Sequence, residues 1–379
     1  MIYLDYNATT PIASEVVDAM LPFLRGHFAN PSSSYALADE PREAVVHARQ
    51  QVAALIGASA EEVVFTSGGT ESNNQALRGA ARARRQQDGR KRLITSAVEH
   101  PAVMEVCRAL SAEGFDWVVL PVDAEGRVHP AFLRRVIDED TALVSVMHAN
   151  NEVGTIQPIA EFAAIAHEAG AWMHTDAAQS VGKISTDVSD LGVDLLSIAS
   201  HKIYGPKGVG ALYMRRGLEL PNFMLGAGQE NGRRAGTENV LGIVGLGAAC
   251  AHVGCELEAH GVQLQALRDS LHERLKDALG PEVRLNGPME GRLPTTLSVG
   301  FAGVRAHALL AALEGEVMAS AGAACKSGNE GISTVLKAMG VPESWALGTL
   351  RLSVGEGTTE EDVALAAEQI VAAFHGARS

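Results

Sequence analysis

The stretch VDLLSIASHK, residues 193–202, decides how we interpret the fold. A short apolar run of strand length ends in a histidine and a lysine. Similar runs alternate with helical stretches over residues 40–215, and this alternation predicts a largely parallel sheet with crossover helices. They are EEVVFTS (61–67), RLITSAVEH (92–100), ALVSVMHAN (142–150) and AWMHTDAA (171–178). Open α/β sheets bind ligands at the carboxyl ends of their strands, so we examine the residues that follow each run.

A second, smaller α+β domain is predicted after the large α/β domain. Residues 240–279 form a helix-rich connector, and strand-like runs follow it at 294–301, 315–322 and 349–355, before a closing helix over 359–377. We therefore expect two domains. The large one comprises residues 16–256, and the small one comprises residues 1–15 together with 257–379.

Composition narrows the class of protein and its setting. The 379 residues carry a formal charge of −14, from 31 Lys and Arg against 45 Asp and Glu, which disfavours a nucleic-acid surface. No basic, apolar leader and no long uncharged apolar run is evident, so we expect no targeting peptide and no membrane partner. The four cysteines are irregularly spaced, which favours a reducing, cytoplasmic location without disulfides.

Glycines and a threonine follow the first run. Gly68, Gly69 and Thr70 precede a helical stretch, and the free N–H groups of such a helix start suit a phosphate. The alternative is a plain glycine turn in which Thr70 caps the helix.

Three more side chains stand at the ends of the later runs. His100, Asp176 and Lys202 have, taken singly, ordinary interpretations: a structural histidine, a helix cap and a solvated lysine. Lys202 does not belong to a Walker loop, because the Gly-Lys-Ser/Thr ending is absent. Together with the phosphate nest, the three residues favour pyridoxal phosphate. The lysine would form a Schiff base, the carboxylate would keep the ring nitrogen protonated, His100 would stack on the ring, and Gln179 would reach its hydroxyl.

One cysteine stands apart from the rest. Cys325 lies in SAGAACKSGNEG, residues 320–331, among small and polar residues that predict an exposed loop. Cys250 and Cys255 lie with His252 in an apolar helical stretch, where we expect core packing in preference to a metal site. Cys107 is also expected in the core, and no metal is predicted.

Ten motifs in order give the chain a specific resemblance. They are YLDYNATTPI (3–12), NPSS (30–33), FTSGGTESNN (65–74), TSAVEHPAV (95–103), HANNEVGTIQPI (148–159), HTDAAQSVGKI (174–184), HKIYGPKGVGAL (201–212), GQENGRRAGTENV (228–240), SAGAACKSG (320–328) and LRLSVG (350–355). With them the chain resembles the cysteine desulfurases of the housekeeping and nitrogen-fixation iron–sulfur branch. These are class V aminotransferase-family enzymes of pyridoxal phosphate fold type I.

The resemblance implies a role for each matching residue. Lys202 would be the Schiff-base lysine, Asp176 the partner of the ring nitrogen, and His100 the stacking group and acid/base. The remaining implied contacts are Gly69, Thr70 and His201 at the phosphate, Asn151 and Gln179 at the ring oxygen, Arg351, Asn151 and Asn30 at the substrate, and Thr237 at the phosphate of the neighbouring subunit. A homodimer is thereby implied.

The resemblance also explains Cys325. It would attack the sulfur of L-cysteine, leave L-alanine as product, and carry the sulfur as a persulfide to an acceptor protein. The implied acceptor is an iron–sulfur scaffold or a tRNA-thiolation enzyme.

Three positions depart from the family pattern. Ala199 stands where a phosphate-binding serine is usual, and Ser200 is the substitute we expect. Tyr35 replaces a histidine, and Glu356 replaces an arginine.

Two other functions remain open at this point. Another enzyme of the same fold, such as a cysteine desulfhydrase, a selenocysteine lyase or an aminotransferase, would not need Cys325. A non-enzymatic scaffold would be expected to have lost Lys202 or Asp176, and both are present.

Overall fold

The computed structural model describes residues 1–322 and 331–378. Cys325, the predicted sulfur acceptor, lies outside the described residues. The strands are β1 (Ile2–Tyr3), β2 (Val63–Thr66), β3 (Arg92–Ser96), β4 (Asp116–Leu120), β5 (Thr141–Ser145), β6 (Trp172–Asp176), β7 (Leu195–Ala199), β8 (Gly210–Met214), β9 (Val283–Leu285), β10 (Thr296–Phe301), β11 (Val317–Met318) and β12 (Thr349–Ser353). The helices are α1 (Ser14–Arg25), α2 (Asp39–Leu55), α3 (Gly69–Asp88), α4 (Pro101–Ala112), α5 (Pro130–Val136), α6 (Ile159–Glu168), α7 (Val188–Leu191), α8 (Val240–Gly254), α9 (Leu257–Leu279), α10 (Ala306–Ala312), α11 (Thr334–Ala338), α12 (Glu343–Ala346) and α13 (Glu360–Arg378).

A seven-stranded sheet forms the centre of the molecule. Its strand order is β2-β8-β7-β6-β5-β3-β4, and all neighbours are parallel except at β8, which runs antiparallel to β2 and β7. The predicted fold class is confirmed, and each of the five quoted runs contains a strand. Strands β1, β4, β8 and β9 were not predicted.

The sheet is covered by helices on both faces. In β3, Leu93 and Ile94 are both fully buried but belong to two different apolar cores. Because successive side chains of a strand point to opposite faces, one core lies on each side of the sheet. Helices α3 and α4 contribute to the core of Leu93, and α2, α6 and α8 contribute to that of Ile94.

Two smaller sheets are built from the chain ends. Strands β9, β10 and β12 are antiparallel in the order β12-β10-β9, and β1 pairs with β11 in parallel. Leu4, α9, α10 and α13 pack with them into a separate apolar core. This core supports the proposed division into residues 16–256 and residues 1–15 with 257–379, which stays a prediction.

The connector at 240–279 consists of two helices. Cys250 is buried in α8, as expected, but Cys255 is exposed, and the expectation of core packing was wrong for it. Helix α8 ends at Gly254 and the chain turns at Glu256, with φ of 59°, so the apolar face of the helix does not extend to Cys255.

Among residues 1–322 and 331–378, no single helix is long and apolar enough to cross a membrane. Helices α8 and α9 meet the requirement of length and apolar composition only together, as a pair bent by 77°.

Candidate active site

Two glycines lie at the start of α3. Gly68, with φ of 146°, precedes Gly69, the first residue of this 20-residue helix. A cavity of about 400 Å³ is lined by Gly68, Gly69, Thr70 and His201, among others. A Cβ atom on Gly210 would lie 2.4 Å from the carbonyl oxygen of Ile198 and 2.8 Å from Gly68, so only glycine allows this close approach. Gly68, Gly69 and Thr70 thus line a cavity at the start of α3, and their role as a phosphate site stays a prediction.

Lys202 lies beside this cavity, in a short helical turn that follows β7. Its Nζ donates to the carbonyl oxygens of Asn7 at 2.7 Å and Ala8 at 2.8 Å. Ser200, two residues earlier, is fully buried, and its hydroxyl lies against Gly205. Ser200 is not among the residues that line the cavity, so its role as a phosphate ligand stays a prediction.

Asp176 ends β6 and is buried. One carboxylate oxygen accepts a hydrogen bond from Asn73 Nδ2 at 2.7 Å, and the other accepts from the backbone N–H of Ala178 at 3.0 Å. These two neutral donors hold the carboxylate in one orientation. Its negative charge is therefore available to pair with a positively charged ring nitrogen.

His100 caps α4. Its Nδ1 accepts the backbone N–H of Ala102 at 3.1 Å, so the proton of the neutral ring is on Nε2. The adjacent Glu99 is buried, and desolvation raises its pKa to about 8.

Arg351 lies on β12 and is buried. Its Nη2 donates to Asp5 Oδ1 at 2.6 Å, and its Nη1 donates to the carbonyl oxygen of Asn151 at 3.1 Å. Among residues 1–322 and 331–378, its Nε is buried without a hydrogen-bond partner. The backbones of Arg351 and Ser320 exchange two hydrogen bonds, so the chain that leads toward residues 323–330 starts beside this arginine.

Gln179 and Asn7 connect Lys202 to a second lysine. Gln179 Nε2 donates to the carbonyl oxygen of Asn7 at 3.0 Å, and Lys183 Nζ donates to Gln179 Oε1 at 2.9 Å. Burial, with the charges of Lys202 and Arg351 nearby, lowers the pKa of Lys183 to about 7.

Two predicted residues have no contact with this group. Asn30 is exposed, and its Oδ1 accepts the backbone N–H of Ser32 at 2.9 Å. Thr237 is exposed and, within residues 1–322 and 331–378, has no hydrogen bond to the nest of its own chain. Both assignments stay predictions.

The departures from the family pattern have local explanations in two cases. Glu356 accepts from His252 Nε2 at 2.9 Å, and its backbone N–H donates to the hydroxyl of Tyr204 at 3.0 Å. Ala199 is buried close to Gly69, where a Cβ atom on the glycine would be 3.3 Å from that of Ala199. Tyr35 is exposed, and nothing in the structure explains its presence.

Sequence reasoning missed five residues that organise the site. They are Asp5, Asn7, Asn73, Glu152 and Lys183. All five lie inside the quoted motifs, but a motif alone does not say which of its polar residues make hydrogen bonds to one another.

The residues present fit pyridoxal phosphate. A glycine nest at a helix start, a lysine beside it and a buried carboxylate at the end of a neighbouring strand supply the three groups that this cofactor needs. No group of three or more metal-ligating side chains occurs in the described part of the chain.

Comparison with known proteins gives a consistent result. The family model described as "Aminotransferase class-V" matches residues 2–365. The chain is 47% identical over 363 residues to the "Cysteine desulfurase IscS" of Dictyoglomus turgidum, covering 96% of this chain and 91% of that one. A solved structure titled "NifS-like protein" superposes with a TM-score of 0.91 at 37% identity, covering 98% of each chain. Another, "SspA in complex with cysteine", has a TM-score of 0.83 at 36% identity and covers 93% of this chain and 99% of its own.

Proposed function

The chain belongs to the aminotransferase class-V family and is a pyridoxal phosphate-dependent cysteine desulfurase, and we propose how its residues divide that reaction. The observation that carries the proposal is that the cavity at the start of α3 is linked to both Lys202 and Asp176. Ala8, which lines the cavity, accepts a hydrogen bond from Lys202, and Asn73 of α3 donates one to Asp176. None of the contacts of the described residues and none of the comparisons above favours a desulfhydrase, a lyase, an aminotransferase or a scaffold.

The chain's own groups would hold the cofactor and the substrate. Gly69, Thr70 and His201 would receive the phosphate, Asp176 the ring nitrogen and Lys202 the aldehyde carbon. When bound, pyridoxal phosphate supplies an electron sink for the bonds at the substrate α-carbon. Arg351 has an unpaired Nε for the carboxylate of L-cysteine, and the backbone carbonyl of Asn151 helps to fix its guanidinium plane.

Proton transfer falls to Lys202 and His100. The Lys202 ammonium is held by two carbonyl oxygens, and it must lose a proton before it can take one from the substrate. While Ala102 occupies Nδ1, the neutral His100 ring carries its proton on Nε2 and can only donate from that atom. It would accept a proton on Nδ1 once the Ala102 N–H is released.

Cys325 would accept the sulfur. As the thiolate attacks the substrate Sγ, an S–S bond forms and the Cβ–Sγ bond breaks. The electron pair of the broken bond stays with the carbon fragment, which becomes L-alanine after protonation. The persulfide on Cys325 then passes to an acceptor protein of iron–sulfur assembly or tRNA thiolation. A cytoplasmic location would fit such acceptors.

A homodimer completes the proposal. The loop at 221–228 is exposed throughout and carries Phe223, Met224 and Leu225, the last 86% exposed. Contiguous apolar surface of this kind is typical of an interface with a partner. Thr237 lies further along the same segment, between β8 and α8, and would reach the phosphate of the partner subunit.

The test compares Cys325→Ser with Cys255→Ser, because Cys255 is the exposed cysteine of the described residues. Alanine release from L-cysteine should fall at least about a hundredfold in Cys325→Ser, as for loss of a nucleophile, and stay near wild type in Cys255→Ser. Wild type treated with L-cysteine without reductant should carry one extra sulfur on the Cys325 peptide by mass. Near wild-type alanine release by Cys325→Ser would refute the proposed role.

A further inference from the structure

Gln179 and Lys183 lie one helical turn apart after β6. The backbone N–H groups of Lys183 and Ile184 both bond to the carbonyl oxygen of Ser180, which closes this turn. The two side chains therefore share a face. Lys183 Nζ meets Gln179 Oε1 at 2.9 Å, and Gln179 Nε2 meets the carbonyl oxygen of Asn7 at 3.0 Å.

This chain of hydrogen bonds ends at the cofactor lysine. The same carbonyl oxygen of Asn7 accepts Lys202 Nζ at 2.7 Å. Lys183, Gln179, Asn7 and Lys202 are thus linked by three hydrogen bonds, and the two ammonium groups approach the chain from opposite ends.

Lys183 has no ion pair with a carboxylate among residues 1–322 and 331–378. Its charged neighbours are Lys202 and Arg351, which disfavour its ammonium form in addition to burial. Asp5 is paired with Arg351. Lys183 thus lies close to two other cationic side chains, an arrangement that suits an anionic ligand.

The lysine also determines which way the Gln179 amide points. An ammonium group only donates, so it selects the amide oxygen and leaves the amide nitrogen on the far side. On the far side the nitrogen acts as a donor, and an anionic ring oxygen requires a donor.

We propose that Lys183 is a positioning residue for the cofactor. It fixes the orientation of the Gln179 amide, so that the N–H that Asn7 does not accept is available to the ring oxygen. It also places a positive charge on the other side of that amide. The inference rests on the proposed function, because the ring oxygen belongs to pyridoxal phosphate bound at Lys202.

The proposal predicts the direction in which Lys183 changes the proton affinity of the Schiff-base nitrogen. A nearby ammonium disfavours a second positive charge on the Schiff-base nitrogen of Lys202, and a donor to the ring oxygen stabilises the form that has lost its proton. Both effects lower the pH at which the bound cofactor releases that proton. Removing Lys183 should raise it.

The experiment titrates the visible absorbance of the holoenzyme with pH in the absence of substrate. We expect the midpoint to rise by about one pH unit in Lys183→Met, a tenfold change in proton affinity, and by clearly less in Lys183→Arg, which keeps the charge. Lys276→Met, at an exposed lysine of α9, is the control and should leave the midpoint unchanged.

Gln179→Leu keeps the test decisive if Lys183→Met does not fold. It removes the donor, so its midpoint should also rise, and the double variant should shift less than the sum of the single shifts. An unchanged midpoint in either single variant overturns the inference. A wild-type protein that shows no visible band after incubation with pyridoxal phosphate would instead overturn the proposed function.

Discussion

Glu99 illustrates what burial does to a single carboxyl group. Its Oε1 accepts from the hydroxyl of Ser96 at 2.6 Å and from the backbone N–H of Met147 at 2.9 Å, while Oε2 is buried without a partner. With its pKa raised to about 8, the folded protein keeps this carboxyl protonated at neutral pH. The unfolded chain ionises it near 4.5, so the unfolded state binds fewer protons between these values and stability falls as the pH rises.

Glu99→Gln should remove this pH dependence. The amide oxygen can still accept from Met147, and the amide carries no charge in either state. The free energy of unfolding of the variant relative to wild type, obtained from urea unfolding curves, should therefore increase from pH 5 to pH 8 by at most about 1.4 kcal/mol per pH unit. Glu290→Gln, at an exposed glutamate, is the control. An equal difference at both pH values would contradict a protonated Glu99.

Asp176 can be tested by a substitution that conserves its shape. In Asp176→Asn the cofactor should still bind, because the nest and Lys202 are untouched. Exchange of the substrate α-proton should slow at least about tenfold, near 1.4 kcal/mol in barrier, since an uncharged ring nitrogen is a weaker electron sink. Exchange is measured by deuterium incorporation into L-cysteine. Unchanged exchange would remove Asp176 from its proposed role.

At the level of elements, Glu152 joins both ends of the stretch that contains Cys325. Its Oε2 accepts the hydroxyl of Ser333 at 2.5 Å, and Ser333 in turn caps α11. On the other side lies Gly322, with φ of 69°, where a Cβ atom would be 2.7 Å from Glu152 Oε2. Residues 322 and 333 thus both lie close to the Glu152 carboxylate, and Ser333 is bonded to it.

Gly322→Ala should therefore impair sulfur transfer. A side chain there is unfavourable at positive φ, by about 1 kcal/mol or more, and it also displaces the Glu152 carboxylate. We expect slower alanine release with an unchanged cofactor spectrum, measured against Gly331→Ala. A Cβ atom on Gly331 would have no described residue within 4 Å, and its φ is not in the positive range. Equal rates for the two variants would show that the Glu152 contact does not matter.

At the level of the whole molecule, the proposed dimer gives a direct prediction. Leu225→Arg places a charge in the exposed apolar loop, and burying an unpaired charge in an interface is costly. The variant should sediment as a monomer and bind pyridoxal phosphate more weakly, because Thr237 of the partner subunit would no longer be supplied. Val262→Arg, on α9 and 72% exposed, is the matched control. A monomeric wild type, or a dimeric Leu225→Arg with normal cofactor affinity, would argue against the interface.

The sequence by itself determined the class of fold and the order of the site's parts. The apolar runs predicted the strands that lie within them, and Gly69, Asp176 and Lys202 could be placed just after or at the ends of strands. This was possible because the start and end of a strand depend on residues that are contiguous in the sequence. The antiparallel β8 and the exposure of Cys255 were not evident from the sequence. Only tertiary structure decided that Asn7 accepts from Lys202 and Gln179, that Asp5 pairs with Arg351, and that Glu152 meets Ser333. These contacts join residues far apart in the chain, and their partners depend on how the sheets pack and which way each side chain points.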